Sequence, residues 1–356
     1  MPNAPAAENG APPSGPPQRP VILALAAFAV LALGLLPVAG NPGPVLPGIV
    51  ALFVAGFVVT ELSTSFLLLV RFHAARTWSL LVLRCAFFYS GLMAVPHLLT
   101  FPGAVLAEAP LVGSSTQSTS WIFNLWINGF ALLCLVAAGL EGRLRQPRVA
   151  AEAAGRAIGC GLGLAAAVVL AIALGAIAAV DRLPVLISGP SWTNAGSVAS
   201  WLAVVFMAAS IAVILLAIGE RNRLFLWLSL ALGAMAFANV VSTAGGGRFT
   251  IGWTVGRLSW LAAACVLFVY LLLLRARDQR LLTETRDLLG DGAADAAPAG
   301  GGRTIEAALE RFVARENVAR YTRMLEDPQD EARWQVLLKM LAEEEARLQQ
   351  LGGSPR

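Results

Sequence analysis

Eight apolar runs dominate this chain, near residues 21–39, 48–70, 77–96, 121–140, 157–180, 199–219, 223–243 and 251–274. A helix of about 20 apolar residues crosses the hydrocarbon core of a bilayer. Inside that core a helix gives every backbone N–H and C=O a partner within its own segment. The runs therefore predict an all-α fold, a polytopic membrane bundle of about eight transmembrane helices. Composition agrees, with 57% of residues hydrophobic and 13% charged, against roughly 45–50% and 25% in soluble domains. The first run has Arg19 ahead of it and Val38-Ala39-Gly40 after it, as a secretory signal would. It is long for a signal core and reads as a retained helix.

Charge gives the expected orientation, because short cytoplasmic loops carry excess Lys and Arg. Lys339 is the only lysine, so arginine does the marking. One set of connections holds Arg71 and Arg76, then Arg143, Arg145, Arg148 and Arg156, then Arg221 and Arg223, then Arg275, Arg277 and Arg280. The alternate connections hold only Arg182 and Arg248. Both termini are expected in the cytoplasm, and the loops at 41–48 and 97–120 are expected to face outward. The net charge of +4 is thus a statement about topology and does not point to nucleic acid.

Outside the bundle the pattern changes. Residues 1–20 are rich in Pro, Ala and Gly and read as a disordered tail. The bundle is expected over 21–275. Residues 276–303 read as a helical extension, Leu281–Leu289, followed by a flexible linker. Residues 304–351 read as a small cytoplasmic helical hairpin, with Asp327-Pro328-Gln329-Asp330 starting its second helix. Its apolar stripes predict a partner-binding face carrying Phe312, Tyr321, Trp334 and Leu341, since so small a unit needs a partner or a second copy.

Polar groups inside the apolar runs are the candidate functional residues, because an ionisable group in a bilayer is costly. Counting from the flanking arginines puts Glu61 about 15 Å and Arg84 about 12 Å from the same membrane edge. The two are expected to form an intramembrane ion pair, either static or switchable, unless Arg84 snorkels to the headgroups. Arg257 has no acidic partner at its depth. With His97, Trp121, Asn124, Asn128 and Asn239 it forms a candidate outward-facing ligand pocket, suited to an anionic or carbonyl-bearing ligand. The plainer reading is that these polar residues bridge helices.

Other chemistry is poorly supplied. Cys85, Cys134, Cys160 and Cys265 lie far apart, each inside an apolar run, which is neither a disulfide framework nor a zinc pattern. His73 and His97 are roughly 30 Å apart along the helix and cannot share a metal, although a single axial His97 stays open for haem. The tail has no histidine to accept a phosphoryl group and no Gly-rich phosphate loop. No catalytic residue, metal site or cofactor is expected.

Two strings carry a resemblance. Pro96-His97-Leu98-Leu99-Thr100-Phe101-Pro102-Gly103, preceded by Tyr89-Ser90-Gly91-Leu92, and Ser118–Trp126 followed by Phe130 resemble the fourth type of membrane-associated sensor domain, the MASE group, over roughly residues 45–275. The resemblance implies a multi-helix sensor bundle of the kind found ahead of diguanylate cyclase modules in bacteria. It supplies no ligand. The cyclase loop Gly-Gly-Asp/Glu-Glu-Phe is missing, since Gly245-Gly246-Gly247 and Gly300-Gly301-Gly302 are each followed by Arg. The expectation is a non-enzymatic bacterial inner-membrane sensor. It would relay a periplasmic or membrane signal, or a small ligand, to a cytoplasmic protein partner or within a homo-oligomer. A small-solute transporter is the alternative. Against it, the two halves lack matching Gly/Pro-interrupted helices.

Overall fold

Each apolar run folds as one helix in the computed structural model, which describes residues 18–44, 48–106, 109–113, 115–143, 148–294 and 331–350, and positions 310, 314, 317, 318, 321 and 322. The helices are α1 (Gln18–Ala39), α2 (Ile49–Ala75), α3 (Trp78–Thr100), α4 (Thr116–Glu141), α5 (Ala154–Ala178), α6 (Asn194–Val213), α7 (Arg223–Ala244) and α8 (Ile251–Ala294). Among the described residues the only strands are β1 (Ile187–Ser188) and β2 (Ser191–Trp192), a short antiparallel pair. Among the described residues eight helices are long and apolar enough to cross a membrane. The protein is a multi-pass membrane protein of the all-α class.

Helix ends differ from the apolar runs for local chemical reasons. A side-chain oxygen that accepts an early backbone N–H starts a helix whatever the polarity of its first turn. Ser115 accepts from Gln117 N, so α4 begins before the apolar run, with Thr116, Ser118, Thr119 and Ser120 inside it. Thr77, Thr193 and Asn222 cap α3, α6 and α7 in the same way. At the other extreme, α2 continues through Arg71 and His73 to Ala75. α3 continues past Pro96 to Thr100, whose hydroxyl donates to Pro96 O at 2.8 Å.

The centre of the bundle is α3 and α7, whose most apolar windows are 67% and 72% buried, against 11% for α1 and α5 at the periphery. α2, α3 and α4 pack in sequence, α4 packs on α6, α6 on α7, and α7 on α1, with α5 against α3 and α4. Leucines such as Leu23, Leu164 and Leu216 point outward, which water would penalise and lipid favours.

Two glycines let α8 approach α7 at backbone contact. A Cβ at Gly252 would lie 2.3 Å from Val241 O, and one at Gly256 would lie 2.8 Å from Ala238 O. Such small-xxx-small spacing is a common solution where lipid removes the hydrophobic drive for helix association. Further along α8 an aromatic cluster joins four helices. Trp260 of α8 stacks on Phe57 of α2 with centroids 5.8 Å apart and meets Trp126 of α4 edge-on at 5.9 Å. The Trp260 indole N–H donates to Met235 O of α7 at 3.2 Å.

At one end of the bundle the loops are knitted to one another. Gly43 N donates to Phe249 O and Arg248 N to Pro190 O, each at 2.8 Å, and Trp192 N donates to Gly246 O at 2.8 Å. Gln117 holds β1 by accepting from Leu186 N at 2.9 Å and donating to Ile187 O. The opposite, arginine-rich end is pinned by Glu141, which accepts from Ser79 Oγ at 2.6 Å and Asn222 Nδ2 at 2.7 Å.

Residues Leu274–Arg356 form a second unit. α8 runs to Ala294, so helix extends into the expected linker; the rest of that linker lies outside the described residues. α9 (Glu331–Gln350) is the C-terminal helix. The described positions from 310 to 322 are helical and meet α9 in antiparallel order. Glu310 lies 3.8 Å from Arg347, and Asn317 Nδ2 donates to Glu344 Oε1 at 2.9 Å. Tyr321 is buried in this unit and Leu341 half-buried. The expected partner-binding face is therefore corrected at Tyr321, whose side chain is already covered by its own chain. Phe312 and the side chain of Trp334 lie outside the described residues, as does the tail at 1–17.

The backbone contact between α7 and α8 makes Gly256→Ala destabilising, because the added methyl meets a carbonyl that cannot swing away. Gly163 has nothing within 4 Å of its Cβ position, so Gly163→Ala is expected to be neutral or stabilising. Thermal unfolding of both variants in detergent checks the contrast, with a loss of about 1–3 kcal/mol expected for Gly256→Ala alone.

Candidate functional site

Polar side chains from α3, α4, α6, α7 and α8 line one small cavity beneath the knitted loops. Its volume is about 20 Å³, and its lining includes His97, Asn124, Ser200, Asn239, Arg248 and Arg257. A space of this size holds about one water-sized occupant. The local sequence explains the polar wall. Thr116, Ser120, Asn124 and Asn128 recur every fourth residue and so form one stripe along α4. Asn124 Nδ2 donates to Ser120 O at 3.0 Å, and Ser200 Oγ of α6 donates to Asn124 Oδ1 at 3.3 Å.

Arg257 is the central charge. It is buried, and no carboxylate lies within ion-pairing distance of it among the described residues. Two rings hold it instead. Its Cζ is 4.6 Å from the Phe123 centroid and 4.7 Å from the Trp253 ring. The electron-rich ring faces attract a cation, by up to about 2 kcal/mol where water is excluded. Arg248 sits on the rim, 5.0 Å over the Phe101 ring, and donates to Ser120 Oγ at 3.1 Å and Thr116 O at 3.3 Å. Burial pushes its guanidinium pKa down to about 10, which leaves it charged at neutral pH.

The site also has unused polar capacity. His97 is 2% exposed, and neither ring nitrogen has a hydrogen-bond partner at normal geometry. Its ring packs against Phe101, Phe123 and Trp126 at centroid distances of 5.5–5.7 Å. The Asn239 Nδ2 group is likewise buried without a partner. Buried polar groups are normally satisfied, so a cluster of open ones beside two guanidinium groups marks this cavity out.

Of the six residues expected in the pocket, the structure brings His97, Asn124, Asn239 and Arg257 together. It does not bring Trp121 or Asn128. The Trp121 indole turns to the loop after α5 and donates to Pro184 O at 3.0 Å. Asn128 lies a turn deeper, where its amide donates to Asn124 O at 2.8 Å and Ala199 O at 2.9 Å. It lines a separate apolar groove of about 670 Å³ between α3, α4, α5 and α6. Arg248, Phe123 and Trp253 belong to the site and were missed. The four-residue polar stripe on α4 was a readable signal. The placement of Arg248 was not, since it depends on the pairing of two distant loops.

The expected ion pair between Glu61 and Arg84 is corrected. Both side chains are buried, but no ion pair joins them; both Glu61 carboxyl oxygens and Arg84 Nε and Nη1 lack hydrogen-bond partners at normal geometry. The reason is depth. Glu61 is fourteen residues from the end of α2, about 21 Å, whereas Arg84 is six from the start of α3, about 9 Å. Ser65, rather than Glu61, sits level with Arg84, donating to its backbone carbonyl at 3.1 Å. Glu61 faces Gly91, where an added Cβ would lie 3.3 Å from its own.

Among the described residues no group of three His, Cys, Asp or Glu side chains could hold a metal ion. Cys85, Cys134, Cys160 and Cys265 are free thiols. Arg257 and Phe123 are expected to show a coupling of about 1–2 kcal/mol in a double-mutant cycle of Arg257→Met and Phe123→Leu. Unfolding of the four proteins in detergent measures it, and additive losses would count against the ring clamp.

No curated protein and no solved structure matches the chain. A family model described as a membrane-associated sensor, integral membrane domain, matches residues 44–274. That segment is well over half of the protein and contains every residue of the cavity, so the chain belongs to MASE4, a family of membrane-associated sensors.

Proposed function

We propose that this protein is a bacterial inner-membrane sensor with both termini in the cytoplasm, which reads its signal at the cavity beneath the loops and passes it on through α8. The observation that carries the reading is the buried, carboxylate-free Arg257 set among open polar groups in a family of membrane sensors. The arginine-rich loops favour the opposite end as cytoplasmic, which turns the cavity towards the periplasm. Arg257 lies on α8, and α8 is one helix from Ile251 to Ala294. A change in how Arg257 is held therefore acts on the helix that continues in sequence into the C-terminal unit. The relay is non-catalytic and ends on a cytoplasmic protein partner or a second copy of the chain. A recess of about 20 Å³ suits recognition better than passage, which weighs against a transporter.

Orientation and relay are tested together. A phosphatase fused after Ala109 is expected to be active in the periplasm, and one fused after Arg145 inactive. Removal of residues 295–356 is expected to leave a folded bundle that no longer supports the wild-type response. Activity of the second fusion in place of the first overturns the orientation. An unchanged response after truncation, or solute uptake by vesicles carrying the protein, overturns the relay.

A further inference from the structure

We propose that the occupant of the Arg257 cavity is a small free anion, of the size of a halide or formate. The inference rests on the reading of this cavity as the sensing site and adds the chemical class of what it senses.

Charge gives the sign of the ligand. Arg257 and Arg248 both line the cavity, and no carboxylate lines it. Rings hold the cation of Arg257, but rings supply no net negative charge, so the site keeps an uncompensated positive potential. In a region that excludes water such a potential is strongly felt by an anion. Ring contacts engage the face of a guanidinium and leave its N–H edge, which is the edge that binds anions.

Hydrogen bonding gives the polarity of the remaining wall. The Asn239 amide N–H₂ group is buried and donates to nothing. A neutral His97 carries one N–H, which has the Thr119 backbone carbonyl nearby but makes no hydrogen bond to it at normal geometry. Asn124, by contrast, has its Oδ1 taken by Ser200 and its Nδ2 spent on Ser120 O. The open groups are thus mainly donors, beside two cations. A neutral carbonyl would leave the charge unmet, and a metal cation would be repelled.

Size gives the limit. About 20 Å³ leaves room for little more than one water-sized group, which admits a halide or a formate and excludes a phospholipid headgroup or a dicarboxylate. Trp192 lines the cavity from β2, and Trp253 touches Arg257, so occupancy has two fluorescent reporters.

The test uses the full chain in nanodiscs of phosphatidylcholine, in sodium gluconate, whose anion is too large to enter. Gluconate is replaced at constant ionic strength by chloride, bromide or formate, and both the unfolding temperature and tryptophan emission are followed. The expected result is a saturable rise in unfolding temperature with a matching change in emission. Arg248→Gln and Asn239→Ala are each expected to weaken the apparent affinity by at least about tenfold, and Arg257→Gln to abolish the effect. Should Arg257→Gln fail to fold, the two rim variants carry the comparison. The proposal is overturned if no small anion gives a saturable change in folded wild-type protein, or if the change persists unaltered in Arg248→Gln and Asn239→Ala. It is also overturned if stabilisation appears only on switching to discs containing phosphatidylglycerol, which assigns the positive site to a lipid headgroup. The readout needs no cytoplasmic partner, so a saturable, variant-sensitive shift supports the anion even where truncation leaves the cellular response intact.

Discussion

A guanidinium enclosed by membrane helices is the constraint around which this bundle is arranged. Leaving Arg257 unpaired in hydrocarbon is unfavourable by several kcal/mol, and the structure does not supply a carboxylate. It supplies aromatic faces instead, Phe123 from α4 and Trp253 from α8 itself. Those rings belong to a larger cluster in which Phe57, Trp126 and Trp260 fill the space below. Holding the cation and packing the middle of α2, α4 and α8 are therefore one arrangement. A change in the cation's environment has a direct physical route into helix packing.

The cavity exists because two different devices fix its side wall and its roof. At the side, Gly252 and Gly256 bring α8 onto the backbone of α7, which sets Asn239 beside Arg257 within the lining. Above, hydrogen bonds among the 41–43, 187–192 and 245–250 segments tie three otherwise separate loops into one layer. That layer places Arg248 and Trp192 over the opening. Irregular backbone is tolerated at this depth only where its N–H and C=O groups are met, and here they are met by one another. The result is a preformed recess that needs little ordering to receive an occupant.

Two carboxylates show how the bundle treats acids in different settings. Glu141, at the arginine-rich end, accepts hydrogen bonds from Ser79 and Asn222 and so ties α4 to α3 and α7. Glu61, in mid-bundle, has no cation beside it, and its nearest donor is the Ser90 hydroxyl, whose oxygen also accepts the Trp126 indole N–H at 2.8 Å. Sequence arithmetic treated Glu61 and Arg84 as level because it measured both from arginines. α2 in fact carries Arg71 inside the helix and ends four residues later. A charged residue marks the neighbourhood of a membrane edge but does not mark a helix end.

What the sequence determined by itself was whatever depends on local composition and period. The eight spans follow from run length, the family resemblance from contiguous strings around His97 and Trp121, and four of the cavity residues from the cost of polar groups in lipid. What only the tertiary structure decided was every relation that depends on the rotation and depth of one helix against another. It separated Glu61 from Arg84, turned Trp121 outward to Pro184, sent Asn128 to a different groove, and brought Arg248 from a distant loop to the cavity rim. In a soluble protein an amphipathic stripe announces which face of a helix is inward. In this bundle nearly every face is apolar, so the sequence carries little rotational information, and the choice falls to close glycine contacts, ring stacking and a few buried hydrogen bonds.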